Sequence, residues 1–550
     1  MSASMLVSVS LLVITLLSSR LLVNHSNTKI LPPGPPGLPF IGNLLQVLGA
    51  KQRWRTFMSW THKYGEFILM DLFQTKKENA DTCSIGAFFF LNIGGKPAIV
   101  IGNHKVAIDL LEKRGNIYSD RPTNIVAHEI MTRGLVYGFA PHDNSWRRLR
   151  RASHEVLNNQ AAKGYHKFQN LEAALLVKDL LKTPELYIRH LHRATTSSLL
   201  SVLYGLPPCP DPFDPTLVPI NEVMHTVLAA AAPGQYLVEY IPFMKYLPSQ
   251  LCRWKRHAEN VFSTADNIFI TLYKQVQKRL ESGAVIPSVT SSLIQNPVHK
   301  DLTMQERAWL AGTLYGAGSE TTSKQMLWFI LSMALNPNIQ ARAQSQIDNI
   351  VGRERLPNLD DFDKLPYVRA LIKELLRWRG VGPFGIPHAV SENDIYEGYS
   401  IPKGTDIIVN IWWGSFTSGL NHDQNVYGSD AATFRPERYL SENGQLNLTG
   451  SQETKDEGHS TFGFGRRVCV GRHVAISSLF IQITCILWCF NITPGDDENG
   501  KPMFIDENQI IDDGLTIRPL PSNRYKFTPR FPEMEEILRN ALELNGFDYR

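Results

Sequence analysis

The residues best suited to chemistry lie near the C-terminal end of the chain, in a glycine-rich stretch around one cysteine. This stretch, residues 461–472, reads TFGFGRRVCVGR, and the apolar residues 474–489 that follow have the length and pattern of a buried helix. Cys469 is therefore expected at or just before a helix N-terminus, where the helix dipole and free backbone N–H groups favour a thiolate over a thiol. Such a thiolate is a candidate ligand for the iron of haem.

The other residues of this stretch suit a large cofactor. Gly465 and Gly471 have no Cβ, so the backbone can pass close to a flat object there. Phe462 is expected to pack beside the sulfur, and Arg467 is expected to reach an anion such as a haem propionate. The alternative for a lone cysteine is a buried, inert thiol in a tight turn.

The spacing Phe-x-x-Gly-x-Arg-x-Cys-x-Gly, from Phe462 to Gly471, resembles the haem-binding signature of the cytochrome P450 family. The resemblance implies that the cofactor is haem b, with Cys469 as the axial ligand of its iron. It also implies that Phe462, Arg467 and Gly471 contact the haem.

Two further stretches resemble the parts of that family that bind haem propionates. Trp146 and Arg150 are four residues apart and share one face of a predicted helix, although such a charge run is usually a solvated face. Residues 381–388 form an irregular segment that ends in a predicted strand. The resemblance implies that His388 binds a propionate, whereas a lone histidine is more often an ordinary surface or core residue.

Residues 302–335 predict one long helix that stops before a proline. Two glycines in its middle each cost about 1 kcal/mol against alanine, which predicts a local distortion. The alternative is a helix crossing where small residues permit close packing. Ala-Gly-x-Glu320-Thr321 resembles the family's oxygen-binding groove. The resemblance implies that Thr321 holds water and oxygen over the haem and that Glu320 relays protons.

Two more stretches predict structural support for the cofactor. Glu374 and Arg377 are three apart on a predicted helix, so they can pair on one side. Residues 434–439 resemble the family's Pro-Glu-Arg-Phe segment, with Tyr439 in place of Phe. The resemblance implies that Arg438 joins Glu374 and Arg377 in a buried network with no chemical step of its own.

The composition is that of an ordinary globular protein, with 43% hydrophobic and 20% charged residues in a chain of 550. A net charge of +4 is too small to suggest a nucleic-acid partner. Six scattered cysteines argue against a disulfide framework and fit a reducing compartment. Cys485 and Cys489 are four residues apart, a spacing that allows both to bind one metal ion. No second pair of ligands accompanies them, so packing in the core is favoured.

The N-terminal residues predict a membrane anchor. Residues 5–23 are apolar over roughly 28 Å of helix, just enough to span a bilayer. A cleaved signal peptide is the alternative, but no charged segment precedes the apolar run. Residues 31–39, LPPGPPGLP, resemble the proline hinge of microsomal members of the family. We expect a transmembrane anchor at 1–23, a linker and proline-rich hinge at 24–44, and the haem domain at 45–550.

The expected fold is mainly α with a smaller β-rich region near the N-terminal side, as a cytochrome P450 fold in a single globular domain. Residues 160–283 are expected to be mostly helical, and Gly514-Leu515 is expected to form the last turn at the substrate pocket. Strands are predicted at 67–70, 87–92 and 98–101, with a polar segment at 74–83 that is longer than the family's usual hairpin.

The resemblance covers the chain after the anchor and points to a fungal microsomal type, similar to O-methylsterigmatocystin oxidoreductase-like enzymes. It implies insertion of one oxygen atom from O₂ into a lipophilic small molecule, in secondary metabolism such as terpenoid or polyketide tailoring. Electrons are expected from NADPH through NADPH–cytochrome P450 reductase. The alternatives are a haem-thiolate isomerase or dehydratase that uses no O₂, against which Glu320-Thr321 speaks, and a haem-binding sensor or inactive paralogue.

The anchor predicts a single-pass protein of the endoplasmic reticulum with a cytosolic catalytic domain, because Arg20 and Lys29 follow the positive-inside rule. The sequon at Asn447 should then stay unglycosylated in cells. Endoglycosidase treatment followed by mass spectrometry checks this. A glycan on Asn447 would show that the catalytic domain lies in the lumen and that the predicted orientation is wrong.

Overall fold

Helices form most of the chain in this computed structural model, which describes residues 30–73, 88–209, 211, 217–284, 286–412, 419–447, 457–520 and 525–547. The predicted anchor and the polar segment 74–83 lie outside the described residues. The α-helices are α1 (Leu44–Gly49), α2 (Arg53–Phe73), α3 (His104–Ala107), α4 (Asn144–Leu157), α5 (Asn159–Lys163), α6 (His166–Lys182), α7 (Tyr187–Tyr204), α8 (Leu217–Ala230), α9 (Arg253–Glu281), α10 (Val289–Gln295), α11 (Met304–Leu335), α12 (Pro337–Ile350), α13 (Pro366–Trp378), α14 (Gln424–Tyr427), α15 (Arg472–Cys489) and α16 (Met534–Leu544).

The strands form one four-stranded sheet and three two-stranded sheets among the described residues. The larger sheet has the order β1-β2-β6-β3, and its central pair, β2 and β6, is parallel. It therefore joins the N-terminal hairpin to strands some 300 residues later in the chain. The β-rich region thus includes more of the chain than the N-terminal part expected from the sequence. The strands are β1 (Phe88–Ile93), β2 (Lys96–Ile101), β3 (His388–Ala389), β4 (Asp394–Tyr396), β5 (Tyr399–Ile401), β6 (Asp406–Val409), β7 (Phe490–Pro494), β8 (Ile510–Asp512), β9 (Ile517–Pro519) and β10 (Tyr525–Pro529).

One strand prediction is wrong. Residues 67–70 lie within α2, which runs without a break to Phe73. A run of four apolar residues fits a strand or a helical segment equally well, so periodicity alone could not decide. The strands predicted at 87–92 and 98–101 are confirmed as β1 and β2.

The long helix α11 is confirmed and lies at the centre of the fold. Thr303 caps its N-terminus and exchanges hydrogen bonds with Glu306, and most of its 32 residues are buried. The predicted distortion is absent, since α11 is α-helical throughout. Its glycines serve packing: a Cβ on Gly316 would lie 2.1 Å from the side chain of Met224, and one on Gly312 would lie 2.6 Å from the ring of Phe269.

Helix α15, which follows the cysteine stretch, is a core helix. Among the described residues it is the one helix long and apolar enough to cross a membrane, but 78% of it is buried inside the protein. Cys485 and Cys489 are 1% and 0% exposed and lie in the largest hydrophobic cluster. Both cysteines therefore pack in the core, as expected.

The predicted buried network is present. Arg377 on α13 holds both carboxylate oxygens of Glu374 at 2.7 and 2.8 Å, and both side chains are fully buried. Arg438 reaches the same carboxylate at 3.0 Å, and the backbone N–H of Arg435 donates to it at 2.7 Å. Every oxygen of this buried charge is therefore paired, the condition under which a buried ion pair persists.

This network extends to the cysteine stretch through Asn421. Arg377 donates to the carbonyl of Asn421 at 2.7 Å, and the Asn421 side chain accepts from the backbone N–H of Ser460 at 2.7 Å. The same amide donates to the hydroxyl of Thr461 at 3.0 Å. The hydroxyl of Thr461 in turn donates to the carbonyl of Leu376 on α13. The start of the cysteine stretch is thereby fixed to α13.

We expect Glu374→Gln to destabilise the protein by about 3–5 kcal/mol, because it leaves two guanidinium groups buried without their anion. The exposed pair of Arg369 with Asp363 offers the control: Asp363 is 89% exposed, so Asp363→Asn should change stability by less than about 1 kcal/mol. Urea unfolding, followed by tryptophan fluorescence, measures both. Equal midpoints for the two variants would contradict the structural role.

Candidate active site

The cysteine stretch is a tight loop that ends at the N-terminus of α15. Residues Gly465–Arg467 form a 3-10 turn, and the backbone N–H of Cys469 donates to the carbonyl of Phe462 at 2.8 Å. Helix α15 begins at Arg472, three residues after the cysteine. The predicted position of Cys469, just before a helix, is therefore confirmed.

The side chain of Cys469 has accessible surface, although protein atoms surround the residue on most sides. Burial raises the pKa of its thiol, and the backbone N–H of Gly471 together with the charge of Arg150 only partly opposes this. The N–H of Gly471 and the charge of Arg150 act in the direction expected from the sequence, since both favour the thiolate, while burial opposes them. Coordination to a metal ion removes a thiol proton outright.

The glycines of the loop have different roles. Gly465 has a φ of +54°, and a Cβ there would lie 2.2 Å from the carbonyl oxygen of Leu111, so its close approach is to the protein's own backbone. At Gly463 and Gly471 a Cβ would meet no protein atom within 4 Å. The open side of the loop therefore lies around Cys469 and is free to face a cofactor.

The predicted propionate residues of α4 meet Arg467. The guanidinium of Arg467 lies 4.3 Å from the centre of the Trp146 ring and donates to the carbonyls of Ser119 and Ala140, both at 2.8 Å. Arg150, one turn after Trp146, donates to the carbonyl of Val468 beside the cysteine. Burial lowers the pKa of Arg467 to about 10.

His388 lies on β3 beside an arginine that sequence reasoning missed, Arg121. His388 is 6% exposed, and its Nδ1 is 2.7 Å from the carbonyl of Tyr118. Arg121 donates to the carbonyls of Pro387 and Gly138 at 2.8 and 3.0 Å. Burial and the neighbouring arginine lower the pKa of His388 well below its usual value, and the pKa of Arg121 is likewise lowered.

These cationic side chains fit the propionates of haem b. In the described part of the chain, Arg121, Arg150 and Arg467 donate to main-chain carbonyls and none of them forms an ion pair with a carboxylate. Partly buried cations without an anion are unfavourable, so the group of charges favours an anionic ligand. Together with the exposed thiol of Cys469, the donor set suits a haem with a cysteine ligand.

The middle of α11 offers a small open patch on an otherwise buried helix. Ala317 is exposed and Thr321, one turn later, is half-buried, whereas residues 308–316 are buried. The Thr321 hydroxyl donates to the carbonyl of Ala317 at 2.8 Å. The groove on this face is made by Ala317 and not by the glycines, which face neighbouring side chains.

Glu320 lies in an ion-pair network. Its carboxylate is 2.9 Å from Nζ of Lys324 and 3.8 Å from Nε2 of His192 on α7. The interactions with His192 and Lys324 lower the pKa of Glu320 to about 2, against the opposing effect of burial. A carboxylate held ionised in this way is a poor proton donor at neutral pH, which bears on the relay expected from the sequence.

The expected substrate turn is formed by the residues that join β8 and β9. The backbone N–H of Ile517 donates to the carbonyl of Val381 at 2.8 Å, so the turn lies beside the irregular segment 381–388. Leu515 and Ile386 both pack against the hydrophobic cluster that contains Leu314 of α11. The structure thus brings together the turn, the irregular segment and α11.

Sequence reasoning missed Arg121 and Lys324. Arg121 stands alone before a proline and gains its neighbours only through the tertiary fold, so the sequence held no signal for it. Lys324 did carry one, as a lysine four residues after Glu320 in an apolar helix, a spacing that places both on one face.

The chain is similar to known proteins over nearly its whole length. The family model described as Cytochrome P450 matches residues 73–521. A cytochrome P450 monooxygenase of Armillaria gallica is 43% identical over 523 residues, which are 95% of this chain and 94% of the relative. Cytochrome P450 monooxygenase 58 of Postia placenta is 40% identical, covering 96% and 94% of the two chains. Cytochrome P450 monooxygenase iboC of Amanita muscaria is 34% identical, covering 93% of each.

We expect Cys469→Ala to abolish the red-shifted Soret band that a haem thiolate gives when reduced with carbon monoxide, because alanine offers no sulfur to the iron. Cys252→Ala is the matched control, since Cys252 is a free cysteine remote in sequence from the loop, and it should keep the band. Absorbance spectra of the two purified variants decide between them. A normal band in Cys469→Ala would show that another residue is the ligand.

Proposed function

Since the chain belongs to the cytochrome P450 family, a family of oxygen-incorporating oxidoreductases, we propose that it inserts one oxygen atom from O₂ into a lipophilic small molecule. We propose a role in fungal secondary metabolism, such as the tailoring of a terpenoid or polyketide. The observation that carries the proposal is the exposed thiol of Cys469 beside half-buried arginines that form no ion pair with a described carboxylate.

In this proposal Cys469 holds the iron of haem b, while Arg121, Arg467, Arg150, Trp146 and His388 bind the propionates. The haem supplies the activation of O₂ when it is bound, and thiolate ligation favours O–O cleavage. Phe462 shields the sulfur beside the loop, since it is half-buried and its carbonyl accepts from the Cys469 N–H. Gly463 and Gly471 leave the space for the macrocycle.

Thr321 and Glu320 have separate tasks. The Thr321 hydroxyl lies on the open patch of α11 and is the group that holds water and directs a proton there. Its hydrogen bond to the carbonyl of Ala317 fixes the hydroxyl oxygen as an acceptor toward the open side. Glu320 stays ionised and acts through the water that its charge orders, since a pKa of about 2 leaves it almost never protonated at neutral pH.

A lipophilic substrate fits the side chains beside Thr321. Ile386 and Leu515 pack against the hydrophobic cluster that contains Leu314, a residue one turn before Gly318 on α11, and Ala317 adds a small apolar surface. Apolar walls with few polar groups favour an apolar ligand and exclude water from the reacting carbon.

Exposed apolar side chains support a membrane location. Phe40 and Leu45, which follow the proline-rich hinge, are 55% and 57% exposed, and Phe243 and Leu251 are 68% and 80% exposed. We propose that the anchor and these surfaces hold the protein at the endoplasmic reticulum, with the catalytic domain in the cytosol. NADPH then supplies electrons through NADPH–cytochrome P450 reductase, a protein of the same membrane.

The isomerase or dehydratase remains a distinct candidate, because it would use the same haem ligand without O₂. The Thr321 hydroxyl on the open patch favours the monooxygenase, since the reduction of one oxygen atom of O₂ to water takes up two protons, which a hydroxyl in that place can direct. Consumption of NADPH and O₂ in the presence of the reductase separates the two.

We expect Thr321→Ala to keep oxidising NADPH while releasing most of the electrons as peroxide, because the variant lacks the hydroxyl that directs the proton. A positioned acid–base group contributes roughly 10²–10⁴-fold, so even a partial effect is measurable. Ser332→Ala on the same helix is the control, since its hydroxyl is buried against the carbonyl of Phe329. Unchanged peroxide release in Thr321→Ala would remove Thr321 from this role.

A further inference from the structure

Lys324 is a buried lysine near the middle of α11, and all three protons of its ammonium group have acceptors. The residue is 8% exposed, and its Nζ lies 2.9 Å from a carboxylate oxygen of Glu320. The same Nζ is 2.9 Å from a carboxylate oxygen of Asp513 and donates to the hydroxyl of Thr516 at 2.8 Å. This buried ammonium group is therefore fully paired, the condition under which a buried charge persists.

Two of these partners belong to the turn between β8 and β9. Asp513 and Thr516 flank Gly514-Leu515, and the backbone N–H of Asp513 donates to the carbonyl of Thr516 at 2.9 Å, which closes the turn. The turn is short and has a glycine at a φ of +96°, so its own backbone does little to fix its distance from α11. The contacts of Lys324 with Asp513 and Thr516 fix the distance between the turn and α11.

Lys324 also joins two carboxylates that other groups contact separately. Glu320 has His192 of α7 as its second partner, and Asp513 has Arg518 of β9, whose Nε lies 3.1 Å away. From α2, Arg53 donates to the carbonyl of Gly514 at 3.3 Å. Lys324 forms an ion pair with both Glu320 and Asp513, and no other salt bridge between described residues links the two carboxylates.

We propose that Lys324 is a positioning residue that ties the substrate-side turn, residues 513–516, to the part of α11 that carries Glu320 and Thr321. The ammonium group of Lys324 then fixes the position of the turn beside the substrate. It also places a positive charge next to Glu320 and Thr321. The proposal rests on the proposed function, since it takes Thr321 and the turn as parts of one site. It assigns Lys324 no contact with the substrate.

Two variants of Lys324 separate the tie from simple packing. Lys324→Met keeps the length and apolar stem but removes the charge and all three hydrogen bonds, whereas Lys324→Arg keeps a cation that can bridge two carboxylates. Lys526→Met is the matched control, because Lys526 lies on β10 in a different sheet, pairs with Asp496 and is half exposed. All are made in the full chain with haem bound.

Hydrogen exchange of residues 510–519 is the main measurement. In Lys324→Met we expect these amides to exchange about tenfold faster or more, because the turn opens locally without its tie, and the peptides of α4 and α15 to be unchanged. Lys324→Arg should restore most of the protection, and Lys526→Met should leave it intact. Asp513→Asn in the Lys324→Met background should add only the smaller increase that follows from weakening its pair with Arg518.

Azole binding gives a second readout at the site. Imidazole and clotrimazole serve as probes of the haem iron, one small and one bulky enough to reach the turn. In Lys324→Met the Kd of imidazole should stay within about twofold, while the Kd of clotrimazole should change by about fivefold or more. A variant that had merely lost its packing would change both constants and would fail to be rescued by arginine.

The outcomes distinguish this proposal from the proposed function. If Lys324→Met keeps the haem-thiolate band but exchange at 510–519 and clotrimazole binding match the wild type, the tie is refuted while the monooxygenase stands. If the wild-type protein lacks the band, the proposed function fails, and the exchange result still decides whether Lys324 holds the turn. If Lys324→Arg behaves as Lys324→Met, the bridging role is refuted as well.

Discussion

The carboxylate of Glu374 is the constraint on which the haem-binding side of the fold depends. It is fully buried, so each of its oxygens must be paired or the charge could not be kept. Arg377 and Arg438 meet that need, and their remaining donors reach carbonyls of residues 421–433. One buried charge thereby fixes a segment that holds only short helical turns, and through Asn421 it fixes the start of the cysteine loop.

The cofactor side shows the opposite balance of charge. Around Glu374 each charge has a partner within the protein, whereas Arg121, Arg150 and Arg467 are held by main-chain carbonyls. Carbonyl oxygens orient a guanidinium but do not neutralise it. The arginines are thus fixed in place before any anion binds, which is preorganisation in the usual sense.

The sequence predicted these two regions because their signals are local. Cys469 and Glu374 stand in short stretches whose spacing fixes a loop or one face of a helix, and the structure agrees. It could not predict Arg121, whose neighbours come from residues 138 and 387, because only the tertiary fold brings them together. It also misjudged residues 67–70, where four apolar residues fit a strand and a helix equally well. Gly316 was detected as unusual, but its partner Met224 lies in another helix.

Helix α11 explains why one stretch can hold both reactive and structural residues. Successive residues of a helix point about 100° apart, so Glu320 and Thr321 cannot share a direction although they are adjacent. Thr321 lies one turn after Ala317 on the open patch, while Glu320 lies one turn before Lys324 and shares its ion pairs. Gly316 and Gly318 face the side chains of Met224 and Leu199. Small residues therefore bring the neighbouring helices close to α11, while Ala317 and Thr321 stay accessible in its middle. Lys324, one turn after Glu320, holds the turn between β8 and β9.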